Sequence, residues 1–389
     1  MVAFSSRATS LWTGLVESLD IPPSLYRKAV ERHRSLGEWF CRPDSGLAEY
    51  GPSVQPQGSF RYGTVIRPIF ADAEYDLDHV VVLQALSSGS ITQADLKRLH
   101  GTEVRSYTSA HGMLPPEEHN RCWRARYRDE VEFHLDSVPS VAAGAITFGD
   151  LRRAGVEESL ALWAVAITDR RHHTFHTLDP NWPTSNPRGF AAWFESRAAI
   201  GRDPGVLERV RSGAVEDVPP YEWKTPLQRA IQILKRHRDV MFVGKEDLAP
   251  ISMIITNLAA HAYQGEIDLT EALRGIVARM PDYVRAGVPR VPNPAHPRED
   301  YADKWARDPR LEQAFWVWHQ QVLIDVEHFS SPLTRLDPAG LERKFHFSLP
   351  RDLESRLSGG APAVRASVAA VTHITNAPKP WGASGPSAR

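Results

Sequence analysis

Residues 58–83 read GSFRYGTVIRPIFADAEYDLDHVVVL, and the end of this stretch decides the fold. Tyr75-Asp76-Leu77-Asp78-His79 alternates between apolar and polar residues, then runs into Val80-Val81-Val82-Leu83. A period of two with a β-branched continuation predicts a strand entering a buried sheet. Side chains two apart leave the same face of a strand, so Asp76 and Asp78 are neighbours. Glu74 shares that face and ranks below them, because Asp78 sits nearest the buried end. Carboxylates forced together repel unless a cation lies between them, and closely spaced oxygen ligands suit Mg²⁺. Taken alone, the pair reads more readily as a solvated strand edge.

The residues ahead of the strand change that balance. Gly58 lets the backbone approach closely, and Ser59 offers a hydroxyl and an amide to phosphate oxygens. A loop of this kind just before a carboxylate strand would hold a triphosphate tail against bound metal. Glu132-Phe133-His134-Leu135-Asp136 alternates in the same way. Asp136, closing that run before Ser137-Val138-Pro139, is the candidate third carboxylate of a two-ion site. In such a site one ion lowers the pKa of an attacking hydroxyl, and the other steadies the triphosphate and the departing pyrophosphate.

Outward from this centre, Pro22-Pro23 opens an amphipathic helix with Leu25, Ala29, Leu36 and Phe40 on one side. Gly51 to Gly58 reads as a loop. A third apolar strand, Leu160 to Ile167, follows a helical stretch around Phe148 to Arg153, so strands interleave with helices in an α/β or α+β core. From about residue 224 the pattern turns helical. Thr225-Pro226-Leu227-Gln228 is a capping-box start, with Leu227, Ala230, Ile231 and Leu234 as its buried stripe. Further helices are expected from Pro250 (Ile251, Ile254, Ile255, Leu258), from Leu269 to Arg279 and from Leu311 to Glu327.

The 389 residues suffice for two or three domains, and a net charge of −1 gives no global case for nucleic-acid or membrane binding. Cys41 and Cys122 lie far apart in no C-x-x-C pattern, which argues against a disulfide framework and for a reducing compartment. The N-terminal MVAFSSRATSLW lacks the apolar core of a secretory leader, and no run approaches the length of a membrane span. A cytoplasmic protein is the expectation.

GSFRYGTVIRPIFADAEYDLDHVVVL resembles the signature of the DNA polymerase β-like nucleotidyltransferases, and more narrowly that of the bacterial cGAS/DncV-like nucleotidyltransferases. The likeness continues through FHLDSVPS, WPTSNPRGFAAWF, TPLQRAIQILKRHRDVMF, APISMIITNLAAHAY and VPNPAHPREDYADKW. It implies an α+β, bilobal fold: a polymerase β-like core with a small mixed sheet, and an α-helical C-terminal domain closing the cleft. The corresponding division is 1–215, 216–372 and a flexible tail over 373–389.

The resemblance also implies a cyclic oligonucleotide synthase. Such an enzyme joins ATP and a second NTP, GTP or another, into a cyclic di- or trinucleotide messenger of antiphage defence. It would use two Mg²⁺ ions, with Mn²⁺ as an alternative, and release pyrophosphate. A downstream effector and regulatory proteins are the expected partners. The family's metal-holding aspartates fall on Asp76, Asp78 and Asp136, and its phosphate-contacting pair on Gly58 and Ser59. Two further triphosphate contacts fall on Lys235 and Ser252. Lys235 flanks its helix's buried stripe, although Lys235-Arg236-His237-Arg238 also reads as a solvated basic face. Ser252 opens a helix whose amides and dipole favour phosphate, or is an ordinary first-turn serine. The rival readings are a linear oligonucleotide synthase, an RNA or protein nucleotidyltransferase, and an inactive nucleotide-binding regulator.

Other features weigh less. His172, His173 and His176 read as a surface cluster rather than a zinc site. Phe315, Trp316 and Trp318 read as core rather than as a base-stacking platform. Asn293-Pro294-Ala295-His296-Pro297 would shape the cleft. In some relatives a flexible C-terminus is covalently linked to partners; here Arg389 stands where that pattern has a small residue, so the tail with Lys379-Pro380-Trp381-Gly382 reads as plain disorder. No G-x-S-x-G elbow or P-loop is present.

Overall fold

The computed structural model describes residues 2–70, 73–127, 133–201, 214–219, 223–331 and 333–357. The sheet comprises β1 (Pro52–Gln57), β2 (Tyr75–Leu83), β3 (Glu117–Glu118), β4 (Trp123–Tyr127), β5 (Phe133–Ala142), β6 (Val165–Ile167) and β7 (Thr184–Ser185). Its order is β1-β2-β5-β4-β3, with β6 on the far end of β5 and β7 on β6. Strands β2 and β5 run parallel and the other pairs are antiparallel, so the sheet is mixed.

Strand β2 alternates in burial through Asp78 and is continuously buried from His79 onward, where both faces are covered. The loop expected over Gly51 to Gly58 is instead strand β1 followed by a short helix. Prolines 52 and 56 are tolerated because β1 is an edge strand, with β2 on one side and a single bridge from Val54 to Val215 on the other. Nor does Asp136 close its strand, since β5 runs on to Ala142. Pro139 interrupts nothing there. Strand β4 pairs with Phe133 to Ser137 and β6 with Ser140 to Ala142, so the missing N–H falls in the gap. The third expected strand shrinks to Val165–Ile167, its first half being helical around Glu158–Ala161.

The helices are α1 (Val2–Leu19), α2 (Pro23–Cys41), α3 (Gly58–Tyr62), α4 (Gln93–Ala110), α5 (Ala145–Arg153), α6 (Glu158–Ala161) and α7 (Pro187–Ala198). They continue with α8 (Pro226–Met241), α9 (Ser252–Ala262), α10 (Leu269–Arg279), α11 (Pro309–Ser330), α12 (Pro338–Phe345) and α13 (Arg351–Leu357). Two large cores form. Leu36 and Phe40 of α2 and Leu96, Val104 and Tyr107 of α4 cover Leu77, Val81, Ala125 and Leu135 of the sheet. The second core is helical. Leu227, Ala230, Ile231 and Leu234 of α8 pack with α9, α10 and α11, and the expected capping box closes through Thr225 and Gln228. Phe315 and Trp318 are fully buried in it, as core residues.

Helix α1, unread in the sequence, belongs to this second core through Leu11, Trp12, Leu15, Val16 and Leu19. The indole of Trp12 donates to Ser330 Oγ at 3.0 Å. Helix α7 joins the same core through Phe190, Ala191, Phe194 and Ala198, and it also touches β1 of the sheet. The Asn293 to Pro297 segment forms a hairpin of β8 (Pro292–Asn293) and β9 (His296–Asp300). Cys41 and Cys122 are free thiols. No helix among the described residues is long and apolar enough to cross a membrane. The tail over 373–389, with Arg389, lies outside the described residues.

Candidate active site

The register of three strands builds the site. Asp76 lies opposite His134 and Asp78 opposite Asp136 across the parallel β2–β5 pair. Across β5–β4, His134 faces Arg126 and Asp136 faces Arg124. Laterally paired residues share a face, so two rows form there: Asp78, Asp136, Arg124, and Asp76, His134, Arg126. The opposite face, with Leu77, Leu135 and Ala125, is the core under α2 and α4. Alternation therefore serves two ends at once. Odd positions anchor the sheet and even positions bring the three predicted aspartates together.

Each carboxylate has a different environment. Arg124 grips Asp136 in a two-pronged ion pair, Nε to Oδ1 at 2.7 Å and Nη2 to Oδ2 at 2.8 Å. Asp76, the most open with 56% of its side chain exposed, has His134 Nε2 at 2.9 Å from its Oδ1. Asp78 is tucked beneath Gly58. Burial pushes its carboxyl well above the usual carboxylate range, the charges of Asp76 and Asp136 add to this, and Arg124 and Lys235 oppose it. Three carboxylates converging on one face, one of them buried, fit a divalent cation. One oxygen each of Asp76 and Asp136 and a ring nitrogen of His134 lie within 4.8 Å of one another. The donors are mostly hard oxygens, as Mg²⁺ or Mn²⁺ requires.

Gly58 holds φ at +72° where β1 gives way to α3. A Cβ there would lie 2.2 Å from Asp78 Oδ2, so only glycine lets this turn close over the carboxylate. Ser59 follows, half-buried, as the second residue of α3. Lys235 of α8 reaches the same place from the helical side. It is 5% exposed, and its Nζ donates to the Thr64 carbonyl at 2.9 Å. Burial pulls its ammonium down to about 8 and Arg238 adds to this, against the pull of Asp239, Asp76 and Asp78.

The solvated-face alternative for residues 235–238 does not hold. Arg236 and His237 are buried as well, bonded to the Arg67 carbonyl and to Asp325. Ser252 is the first residue of α9. Its hydroxyl accepts from Arg238 Nη2 at 3.3 Å, one turn along α8 from Lys235, and bonds to none of the carboxylates.

Two site residues escape the sequence reading, Arg124 and His134. The signal was present in Trp123-Arg124-Ala125-Arg126-Tyr127, whose period of two puts both arginines on one face. His172 bonds Gln93 and Thr174, and the histidines at 172, 173 and 176 form no metal-ligand grouping among the described residues.

Residues 52–139 match the family model for the nucleotidyltransferase domain of cyclic GMP-AMP synthase DncV-like proteins. That span contains Gly58, Ser59, Asp76, Asp78 and Asp136. A c-di-GMP synthase from Roseivirga ehrenbergii is 27% identical over 309 residues, covering 77% of this chain and 74% of the relative. The cyclic dinucleotide synthase CdnG of Bradyrhizobium diazoefficiens is 26% identical over 344 residues, covering 83% and 76%.

Among solved structures, B. diazoefficiens CdnG in complex with GTP superposes with a TM-score of 0.64 at 20% identity, covering 90% of this chain and 98% of that one. GTP-bound DncV of Vibrio cholerae gives 0.52 at 17% identity, covering 90% and 86%. An E. coli CdnC:HORMA-deltaN complex gives 0.56 at 13% identity, covering 88% and 97%. These structural likenesses concern the fold, a mixed sheet with a helical C-terminal region. The domain match spans the three aspartates, and over this part of its length the chain is similar to the DncV-like nucleotidyltransferases.

Proposed function

We propose that this protein is a cyclic dinucleotide synthase. It joins two nucleoside triphosphates, GTP among them, in two successive transfers that each release pyrophosphate. The observation that carries the reading is the gathering of Asp76, Asp78 and Asp136 on one sheet face, with Gly58 closing over Asp78. The two sequence relatives, named as cyclic dinucleotide synthases, support the same product class.

The three aspartates would hold two Mg²⁺ ions, or Mn²⁺. The ions would neutralise the phosphate charge and ease deprotonation of the attacking hydroxyl. The chain's own residues do the rest. The backbone at Gly58 and Ser59 cradles the triphosphate, and the Lys235 ammonium, held on the Thr64 carbonyl, faces its charge. Arg124 keeps the Asp136 carboxylate in one orientation. Catalysis then rests on positioning and charge, with no covalent enzyme intermediate. A sugar hydroxyl attacks an α-phosphate in line, and the linear product turns in the same cleft for ring closure. The product is a signal to a separate effector in antiphage defence, and a regulatory partner is expected.

Incubation with labelled NTPs and Mg²⁺, then phosphatase and mass spectrometry, tests this. A phosphatase-resistant cyclic product, absent with Asp76→Asn, is expected. Linear products alone would point to an oligonucleotide synthase. No product across metals and candidate activators would point to a nucleotide-binding regulator.

A further inference from the structure

His134 sits among the carboxylates with no task in the transfer described above. It lies directly across from Asp76, two residues before Asp136, on the same sheet face. Its two nitrogens have different surroundings. Nδ1 is 2.6 Å from Glu74 Oε2, and Nε2 is 2.9 Å from Asp76 Oδ1. Glu74 is held in turn by Arg126 Nη1 at 2.5 Å, and the Nε of that arginine donates to Glu117 at 2.8 Å. The ring is thus fixed from behind and only 12% exposed, while Asp76 in front of it is open to the cleft.

We infer that His134 supplies a nitrogen ligand to the divalent cation held by Asp76 and Asp136, with Glu74 orienting the ring. The inference rests on the proposed reading of these carboxylates as a cation site. Spacing supports it first. Adjacent ligands around an octahedral ion, each at about 2.1 Å, stand about 3 Å apart, and Nε2 to Oδ1 is 2.9 Å. Orientation supports it next. A carboxylate on Nδ1 fixes the ring with Nε2 facing forward, the usual outer-shell arrangement of a metal-bound histidine; Nε2 donates to Asp76 Oδ1 in this structure and would give up that bond to the ion. Arg124 accounts for both oxygens of Asp136, yet each keeps a second lone pair for an ion. The consequence is selectivity. An imidazole among carboxylates shifts preference from Mg²⁺ toward Mn²⁺ and the later divalent metals.

The test is pulsed electron paramagnetic resonance of the full chain loaded with Mn²⁺ alone, in natural-abundance and ¹⁵N-histidine forms. A nitrogen coupling that changes with the isotope is expected in the wild type. It should vanish in His134→Gln, which should still bind Mn²⁺, more weakly than the wild type, through Asp76 and Asp136. Mn²⁺ bound without nitrogen coupling, or a coupling that persists in His134→Gln, overturns the inference. Should His134→Gln not fold, Glu74→Gln serves. It should keep the coupling and weaken Mn²⁺ binding about 10- to 100-fold, and unchanged affinity overturns the orienting role. If Asp76→Asn leaves Mn²⁺ affinity untouched, the failure lies with the carboxylates as a cation site, a separate result.

Discussion

Gly58→Ala should all but silence the enzyme while leaving it folded. The added Cβ would stand 2.2 Å from Asp78 Oδ2, 3.2 Å from its Cγ and 3.4 Å from its Cβ, on a backbone at φ +72°. Carbon and oxygen cannot share that space, so the Asp78 carboxylate must retreat by about 1 Å to restore ordinary contact. The left-handed backbone costs an L-residue about 1–2 kcal/mol. A domain is stable by about 5–15 kcal/mol, so the fold survives. Misplacing a catalytic group by about 1 Å costs about 100-fold in rate. The expected result is a kcat about 100-fold down, by pyrophosphate release at saturating GTP and Mg²⁺. A fall of about 2–8 °C in Tm should accompany it. A variant that turns over within threefold of wild type would refute the claim that glycine is kept here for the carboxylate beneath it.

Four other outcomes follow from the same geometry. Asp78→Asn should abolish turnover yet raise Tm of the metal-free protein, because it relieves a buried carboxylate that repels Asp76 and Asp136; a lower Tm would count against that repulsion. Lys235→Met should raise KM for NTP about 10- to 100-fold, the worth of a charge-assisted hydrogen bond, and an unchanged KM would remove Lys235 from the triphosphate. Deleting residues 2–19 strips Leu11, Trp12, Leu15, Val16 and Leu19 from the helical core; at about 1.5–3 kcal/mol each their loss should leave no soluble folded protein, as gel filtration would show.

The fourth concerns pH. Burial, with Lys97 nearby, lowers the His100 imidazole to about 3. Burial also lowers His33, partly offset by its bond to the Glu216 carbonyl. The unfolded chain takes up protons at these sites below about 6.5 while the folded chain does not. Stability should therefore fall with pH in that window, down to about 3 for His100, by about 1.4 kcal/mol per unit for each histidine. His100→Gln should flatten the slope of Tm against pH; an unaltered slope would contradict the assignment.

That the aspartates share one face was legible because the period of two that buries Leu77 and Leu135 puts Asp76, Asp78 and Asp136 opposite them. The turn at Gly58 was legible as a place of close approach. What the backbone approaches there, Asp78, depends on the antiparallel pairing of β1, and two prolines disguise β1 as a loop. Arg124 and His134 were missed for a related reason. Trp123 to Tyr127 alternates, but its polar positions are arginines, and only pairing with β5 turns those long cations inward over carboxylates. Helix α1 shows the opposite lesson. Leu11, Trp12, Leu15, Val16 and Leu19 stand at helical spacing, a pattern overlooked when the segment is judged only as a leader.

The bond from Trp12 to Ser330 spans 318 residues of chain. On the ribosome, where synthesis proceeds at about 5–20 residues per second, helix α1 therefore waits roughly 15–60 s for its partner. Throughout that interval its tryptophan and leucines have no finished core to enter, while α2 can already settle on the emerging strands. The opening helix is thus among the last pieces to dock. Nascent chains of this protein should depend on chaperones that shield an apolar N-terminal helix until the closing helices arrive.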